Sequence, residues 1–421
     1  MSGSDLALLG RARRVIACVA LPALCFGSIE ASLVRADEPA SNTTTVAAPE
    51  PIPFGMQGLE AVGLKPAADD LGFKFYGWVE QSYTYNHESP SDRVNVGRVF
   101  DVRSNDYLLN QVTSNLERPL SDGTDFDIGG KLELLYGSDG RFIHSTGLAD
   151  NITGDRDDPL HGDKLNLDPM VFYVNARLPI GNGLTIKAGK YVTAHGLEVI
   201  DAPLNALFSH SYLFGFAIPF THTGVQFDYP ITDDFSIYYG IVTGWDDWFN
   251  RNDAASHMAG FTWTAVDKLT AYVNVITGPE RDNEQTDYRT VADVTLIYQW
   301  TDTFSTAINV DFGNESGTGV DEAAGNNWFG IAGYATYVII PHKLAATLRY
   351  EYFRDETASR IGFTSDITEL TIGLDIHPIK DLQNLRLRPE VRWDHAYGDA
   401  PFDAGTHADQ FTVGMDLILS Y

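Results

Sequence analysis

Leu385-Arg386-Leu387-Arg388-Pro389-Glu390-Val391-Arg392-Trp393-Asp394, near the C-terminus, puts two chemistries in strict alternation. Arg386, Arg388, Glu390, Arg392 and Asp394 share one phase, and Leu385, Leu387, Val391 and Trp393 share the other. A period of two belongs to a β-strand, whose successive side chains point to opposite faces. The next strand repeats the pattern. Phe411, Val413, Met415, Leu417, Leu419 and Tyr421 alternate with Thr412, Gly414, Asp416 and Ser420, and only Ile418 is out of phase.

Working back along the chain, the same alternation marks strands at 73–85, 107–117, 124–136, 168–178, 183–192, 221–230, 234–244 and 256–265. It continues at 268–278, 288–300, 303–313, 327–339, 342–353, 366–376, 385–395 and 409–421. Each is long enough to cross a bilayer when tilted. No stretch after the N-terminal region is apolar and long enough for a transmembrane helix. A soluble sandwich could carry one charged-and-apolar strand, but not a whole chain of them with no helix to cover a sheet. The expected fold is therefore all-β: a transmembrane antiparallel barrel of about sixteen strands, with fourteen or eighteen as the near misses.

The connections support this. Short ones hold turn formers, as in Gly181-Asn182-Gly183, Pro230-Ile231-Thr232-Asp233 and Pro341-His342. Long ones, among them 86–106, 137–167 and 193–220, alternate with them. Short periplasmic turns and long external loops are the asymmetry of an outer-membrane barrel. Trp78, Tyr136, Trp245, Trp300, Trp328 and Trp393 lie near strand ends, where an interfacial aromatic girdle is expected. Leu348, Leu387 and Leu417 are expected to face lipid, and arginine at the neighbouring Thr347 or Asp416 to be tolerated far better than at these.

The N-terminus reads as an export signal. Arg11, Arg13 and Arg14 precede an apolar run, Val15 to Ile29, too short to span a membrane. Val34-Arg35-Ala36 before Asp37-Glu38 is a loose small-x-Ala cleavage site, so 1–36 is assigned as signal peptide. Cys18 and Cys25 fall within it, and cleavage leaves no thiol for catalysis, disulfides or zinc. Residues 37–72, with Pro39, Pro49, Pro51, Pro53 and Pro66, read as a periplasmic linker, and 73–421 as the barrel.

Composition narrows the function. Asp and Glu total 57 against 29 Lys and Arg, a formal charge of -28. A nucleic-acid partner would need a basic footprint. An acidic field favours cations near a mouth or pore. Aromatics at 12% and 38 glycines suit strands rather than helices.

The chain resembles the OmpL-like β-barrel porins over Phe73 to Tyr421. The resemblance rests on Phe75-Tyr76-Gly77-Trp78, on Ala188-Gly189-Lys190 with His195-Gly196-Leu197-Glu198, and on Phe220-Thr221-His222-Thr223-Gly224. It implies an outer-membrane channel without naming a solute.

Phase assigns the lumen-facing charges: Lys131, Glu133, Arg177, Lys187, Asp311, Arg349, Glu351, Glu369, Asp375, Arg386, Arg388, Glu390, Arg392 and Asp394. They read either as a charged pore lining or as ion pairs that stiffen the wall. Loop 193–220 carries Leu204, Leu207, Phe208, Leu213, Phe214 and Phe216, more apolar surface than a solvated loop would bear. It is expected to fold inward as a constriction, with His195, Glu198, Asp201, His210 and His222 as its polar candidates. An external loop packed on its neighbours or on another subunit is the other reading. Those histidines match no metal-ligand spacing. The run Asp150, Asp155, Asp157, Asp158 and Asp163 lacks the spacing of a calcium loop.

The expected function is a water-filled channel for passive diffusion of small hydrophilic solutes or ions, with no cofactor and no catalytic residues. The alternatives are a barrel enzyme of lipase or protease type, which would need a facing Ser-His or Asp-His pair, and a structural or adhesive surface barrel. Expected partners are outer-membrane lipid and the barrel-assembly machinery, which would read the strand ending at Tyr421. A homotrimer is the common assembly of sixteen-stranded porins.

Overall fold

The computed structural model describes residues 54–148, 165–266, 268–317, 325–379 and 384–421. Residues 1–36, assigned above as a signal peptide, and the acidic run 150–163 lie outside them. No helix among the described residues is long and apolar enough to cross a membrane.

The sheet opens with β1 (Lys74–Tyr76) and β2 (Trp78–Asn86), two parts of one strand. It continues through β3 (Asp106–Arg118), β4 (Asp127–Gly137), β5 (Asn166–Leu178), β6 (Leu184–Val192), β7 (Thr221–Thr232) and β8 (Phe235–Val242). Then come β9 (Ser256–Val266), β10 (Leu269–Pro279), β11 (Tyr288–Thr301), β12 (Phe304–Glu315) and β13 (Asn326–Ile340). The last are β14 (Leu344–Asp355), β15 (Ser365–Ile376), β16 (Leu385–Gly398) and β17 (Asp409–Ser420). From β2 onward every strand pairs antiparallel with the next. The last, β17, pairs back to β2 from Ser420↔Trp78 to Thr412↔Asn86. The ring is closed and no edge strand is left bare, as a bilayer requires. Beyond β17 the seam continues: Tyr421 and Gly77 exchange two backbone hydrogen bonds, at 2.7 and 2.9 Å.

Segment 54–71 is not simply linker. It forms α1 (Phe54–Ala61) and α2 (Lys65–Leu71), joined to the barrel where Phe75 N donates to Met56 Sδ and Arg118 Nε donates to the Leu71 carbonyl. Met56 is buried at this contact, which a free tether would not allow.

Closure gives each strand an inside and an outside, and burial follows the phase. Along β14, Leu348 and Tyr350 are exposed while Arg349 and Glu351 are fully buried. Tyr136, Trp300 and Trp393 stand on the exposed outer face. Trp78, Trp245 and Trp328 do not: all three are buried inside, so they leave the expected girdle. Position near a strand end told nothing about phase.

Replacing Leu348 with arginine should lower unfolding stability in liposomes by about 2–4 kcal/mol, since the charge meets lipid. No loss would reverse the assignment of faces. The tolerance expected at Thr347 and Asp416 is corrected by the structure. Thr347 is buried and bonded to Thr336 Oγ1 at 3.0 Å, and Asp416 is buried and paired with Arg388, so arginine at either would bury a new charge.

Candidate functional site

Loop 193–220 leaves β6, crosses the inside of the ring and returns to β7. Nearly all of it is buried. A buried loop must satisfy its backbone polar groups. Here the wall does so from positions far apart around the ring. Gln111 on β3 donates to the Ile200 carbonyl (2.8 Å), and Asn274 on β10 to that of Ala194 (2.8 Å). Leu197 N donates to Asn309 Oδ1 on β12 (3.2 Å), and Trp328 Nε1 on β13 to the Ala217 carbonyl (3.1 Å).

The charged inner face of β14 and β16 makes the densest anchorage. Arg388 donates to the carbonyls of Ala202, Asn205 and Leu207 at 2.8–2.9 Å. Arg386 reaches the carbonyls of Pro203 and Asn205, and Arg392 that of His210 (2.6 Å). Acids take the loop's donors. Glu390 accepts from Phe208 N (3.0 Å) and Ser209 N (3.1 Å), and Glu351 from Tyr212 N (2.8 Å) and Leu213 N (2.7 Å). Glycines permit the close approach: a Cβ at Gly330 or Gly373 would lie 2.5 Å from Leu213 or Leu207.

These arginines are also paired with one another's neighbours. Arg386 binds Asp375 (2.9 Å), Arg388 binds Asp416 with Glu80 close by (3.4 Å), and Arg392 binds Asp394 (2.7 Å) and Glu369 (3.4 Å). Arg349 bridges Glu369 and Glu198, each at 2.6 Å. The cluster holds more carboxylates than arginines, and backbone N–H groups of the loop meet Glu351, Glu390 and Glu198. Such interior pairs hold geometry, because either partner alone would be a buried, uncompensated charge.

Of the expected loop residues, Glu198 joins this cluster. It accepts from Arg349, Ser211 N (2.7 Å) and Tyr334 Oη (3.2 Å), and the Arg349 charge helps hold its carboxyl below the usual range against burial. His222 belongs to β7 rather than to the loop. It donates through Nδ1 to the Gly244 carbonyl, accepts from the Thr193 hydroxyl at Nε2, and His195 Nδ1 donates to that same oxygen. This chain fixes neutral rings. Burial, then the neighbouring His222, pushes His195 down to about 3. His210 donates to the Val199 carbonyl (3.1 Å) and packs on Phe100 and Phe214, and burial lowers its pKa. The Asp201 carbonyl receives Leu204 N and Asn205 Nδ2.

The other expected lining residues are scattered. Lys131 pairs with Glu133 at 2.8 Å. Arg177 is drawn to the short-turn end by the carbonyls of Ser121 and Asp125. Lys187 lies over the rings of Tyr191 and Tyr173, and Asp311 stands opposite Asp293 in the ladder.

Sequence reading missed a second layer. Loop 87–105 also turns inward: Arg98 bridges Asp101 (2.6 Å) and Asp394 (2.7 Å), and Phe100 packs against Phe142, Phe214 and Phe220. The signal available was its run of Val94, Val96, Val99, Phe100 and Val102, too apolar for a solvated loop.

A lumen crossed by a loop that is fastened to an inward ladder of charge is porin geometry. The family model described as "Putative beta-barrel porin-2, OmpL-like" matches residues 72–421. The chain belongs to that family. No curated protein matches the sequence of this porin. Solved structures share its fold at low identity. The outer-membrane channel DcaP of Acinetobacter baumannii is 16% identical, with 83% of this chain and 97% of that one covered at a TM-score of 0.53. The anion-selective porin of Comamonas acidovorans is 10% identical, with 83% and 99% covered at 0.54. The trimer form of OmpT of Vibrio cholerae is 12% identical, with 83% and 99% covered at 0.50. The protein is an outer-membrane β-barrel porin, and its family and fold are those of channels rather than enzymes.

Proposed function

We propose that this porin passes small hydrophilic solutes and ions passively, through a lumen whose width is set by loop 193–220. The observation that carries the reading is the loop's attachment to β3, β10, β12, β13, β14 and β16 across the ring. The charged inner wall then acts first as the loop's scaffold and only second as a lining. Export by the signal peptide ending near Ala36, assembly guided by the strand ending at Tyr421, and a trimer like the OmpT form complete the proposal.

Each wall arginine is paired with a carboxylate, the cluster holds further acids beyond these pairs, and the chain as a whole carries -28. The excess negative field therefore lies on the wall and on the loops alike, and on the loops salt screens it over about 10 Å at 0.1 M. The porin, reconstituted in a planar bilayer, should conduct in small steps with weak cation preference at low salt that fades as salt rises. Reversal potential under a KCl gradient measures it. Absence of any conductance would sink the channel reading; anion preference would show that the wall arginines outrank the acids around them.

A further inference from the structure

At the long-loop end, next to loop 193–220, lies a cavity of about 320 Å³. That is within the usual size range of small-molecule sites, about 300–1,000 Å³. Trp245 forms one side. The guanidinium carbons of Arg289 and Arg360 sit 4.8 and 5.1 Å from its ring centroid, so two like charges flank one indole. Arg360 also lies 5.2 Å from the Trp328 ring.

The donors of these two arginines are not used up. Arg360 donates Nε to the Phe216 carbonyl (2.7 Å), and its guanidinium makes no other hydrogen bond among the described residues. Arg289 donates Nη2 to Glu315 (2.7 Å), while its buried Nε has no partner. The acids that line the cavity are engaged elsewhere. Glu280 accepts from Trp245 N (2.8 Å) and Ser256 Oγ (2.6 Å). Asp246 accepts from Phe220 N (3.1 Å) and Thr221 N (2.8 Å). The cavity thus offers unspent guanidinium donors but no spare carboxylate to meet them.

Two adjacent cations with unfilled donors call for a shared anion. The rest of the lining mixes Thr146 and a third guanidinium, Arg251, already paired with Asp247 (3.0 Å) and Asp282 (2.6 Å), with the apolar edges of Ile218, Phe220 and Trp245. An inorganic ion could use only the guanidinium donors, whereas an organic anion could use those donors and the Trp245, Ile218 and Phe220 edges together. We propose that the cavity binds a small organic carboxylate, with its oxygens on Arg289 and Arg360 and its apolar body against Trp245, Ile218 and Phe220. The acidic loops repel anions in general, and this pair makes a local exception for a solute that fits. As a stop on the conduction path the site rests on the channel reading above; as a binding site it stands alone.

Calorimetric titration of the folded porin in detergent with sodium benzoate tests it. Saturable binding is expected, with the neutral isostere benzamide giving none. Arg360→Gln should weaken benzoate by about tenfold or more, the loss of a charge-assisted contact. Arg354→Gln removes the same charge from an exposed position and should change little. Folding of each variant is verified by its unboiled gel mobility; should Arg360→Gln misfold, Trp245→Phe must weaken benzoate instead. No binding to the native porin, equal binding to Arg360→Gln, or equal affinity for inorganic phosphate would each overturn the proposal. Bilayer conductance of the same preparation separates the readings. Conduction without benzoate binding removes only this site; benzoate binding without conduction removes only the channel.

Discussion

Arg388→Met should lower the unfolding free energy of the barrel by about 3–5 kcal/mol, the loss expected when one partner of a buried ion pair is removed. The side chain is 2% exposed. Methionine fills much of its volume but none of its bonds. Asp416 and Glu80 would be left inside with no cation, the carbonyls of Ala202 and Leu207 would lose their arginine donor, and that of Asn205 would keep only Arg386. Denaturant unfolding of the refolded protein measures the loss. Adding Asp416→Leu to Arg388→Met should recover part of it, because removing both charges leaves less uncompensated than removing one. A loss below about 1 kcal/mol, typical of an exposed pair, would mean that water reaches Arg388 and that the loop does not seal it.

The barrel was legible because lipid imposes one apolar face on every strand, and period two survives in each. The ranges read for β14 through β17 fall within a few residues of the structure. Even the one exception has a cause. Ile418, out of phase on an otherwise polar inner face, packs with Trp78 and with Ala202 of the loop. What pattern could not give was partnership. Arg388 meets Asp416 because the two stand opposite in the β16–β17 register, and Arg98 meets Asp394 because a loop folds inward. Register and loop path are long-range facts, absent from local alternation. The same limit misplaced Trp245. Its position suggested a lipid interface, whereas its indole lies between two arginines inside the ring.

Two wall carboxylates hold the backbone N–H groups in the middle of the loop, and releasing both should open the lumen. Glu351 and Glu390 together accept the backbone N–H groups of Tyr212, Leu213, Phe208 and Ser209. In Glu351→Ala/Glu390→Ala those four donors face an inner wall that cannot accept from them. Buried donors without acceptors are costly, each on the order of 1–3 kcal/mol, whereas the same groups in water are satisfied. The cheaper state is one in which the middle of the loop leaves the wall. Arg386, Arg388 and Arg392 would keep their carboxylate partners there, so the ring itself should survive. Single-channel conductance of the double variant should rise several-fold with noisier open levels, since the crossing segment carries the bulk of Leu207, Phe208, Tyr212 and Leu213. Chymotrypsin, added from the long-loop side, should cut at those aromatic positions in the variant and spare them in the native porin. Cleavage without any gain in conductance would show that the loop is released yet does not set the width. The constriction would then belong to loop 87–105, where Arg98 and Phe100 close over the same passage.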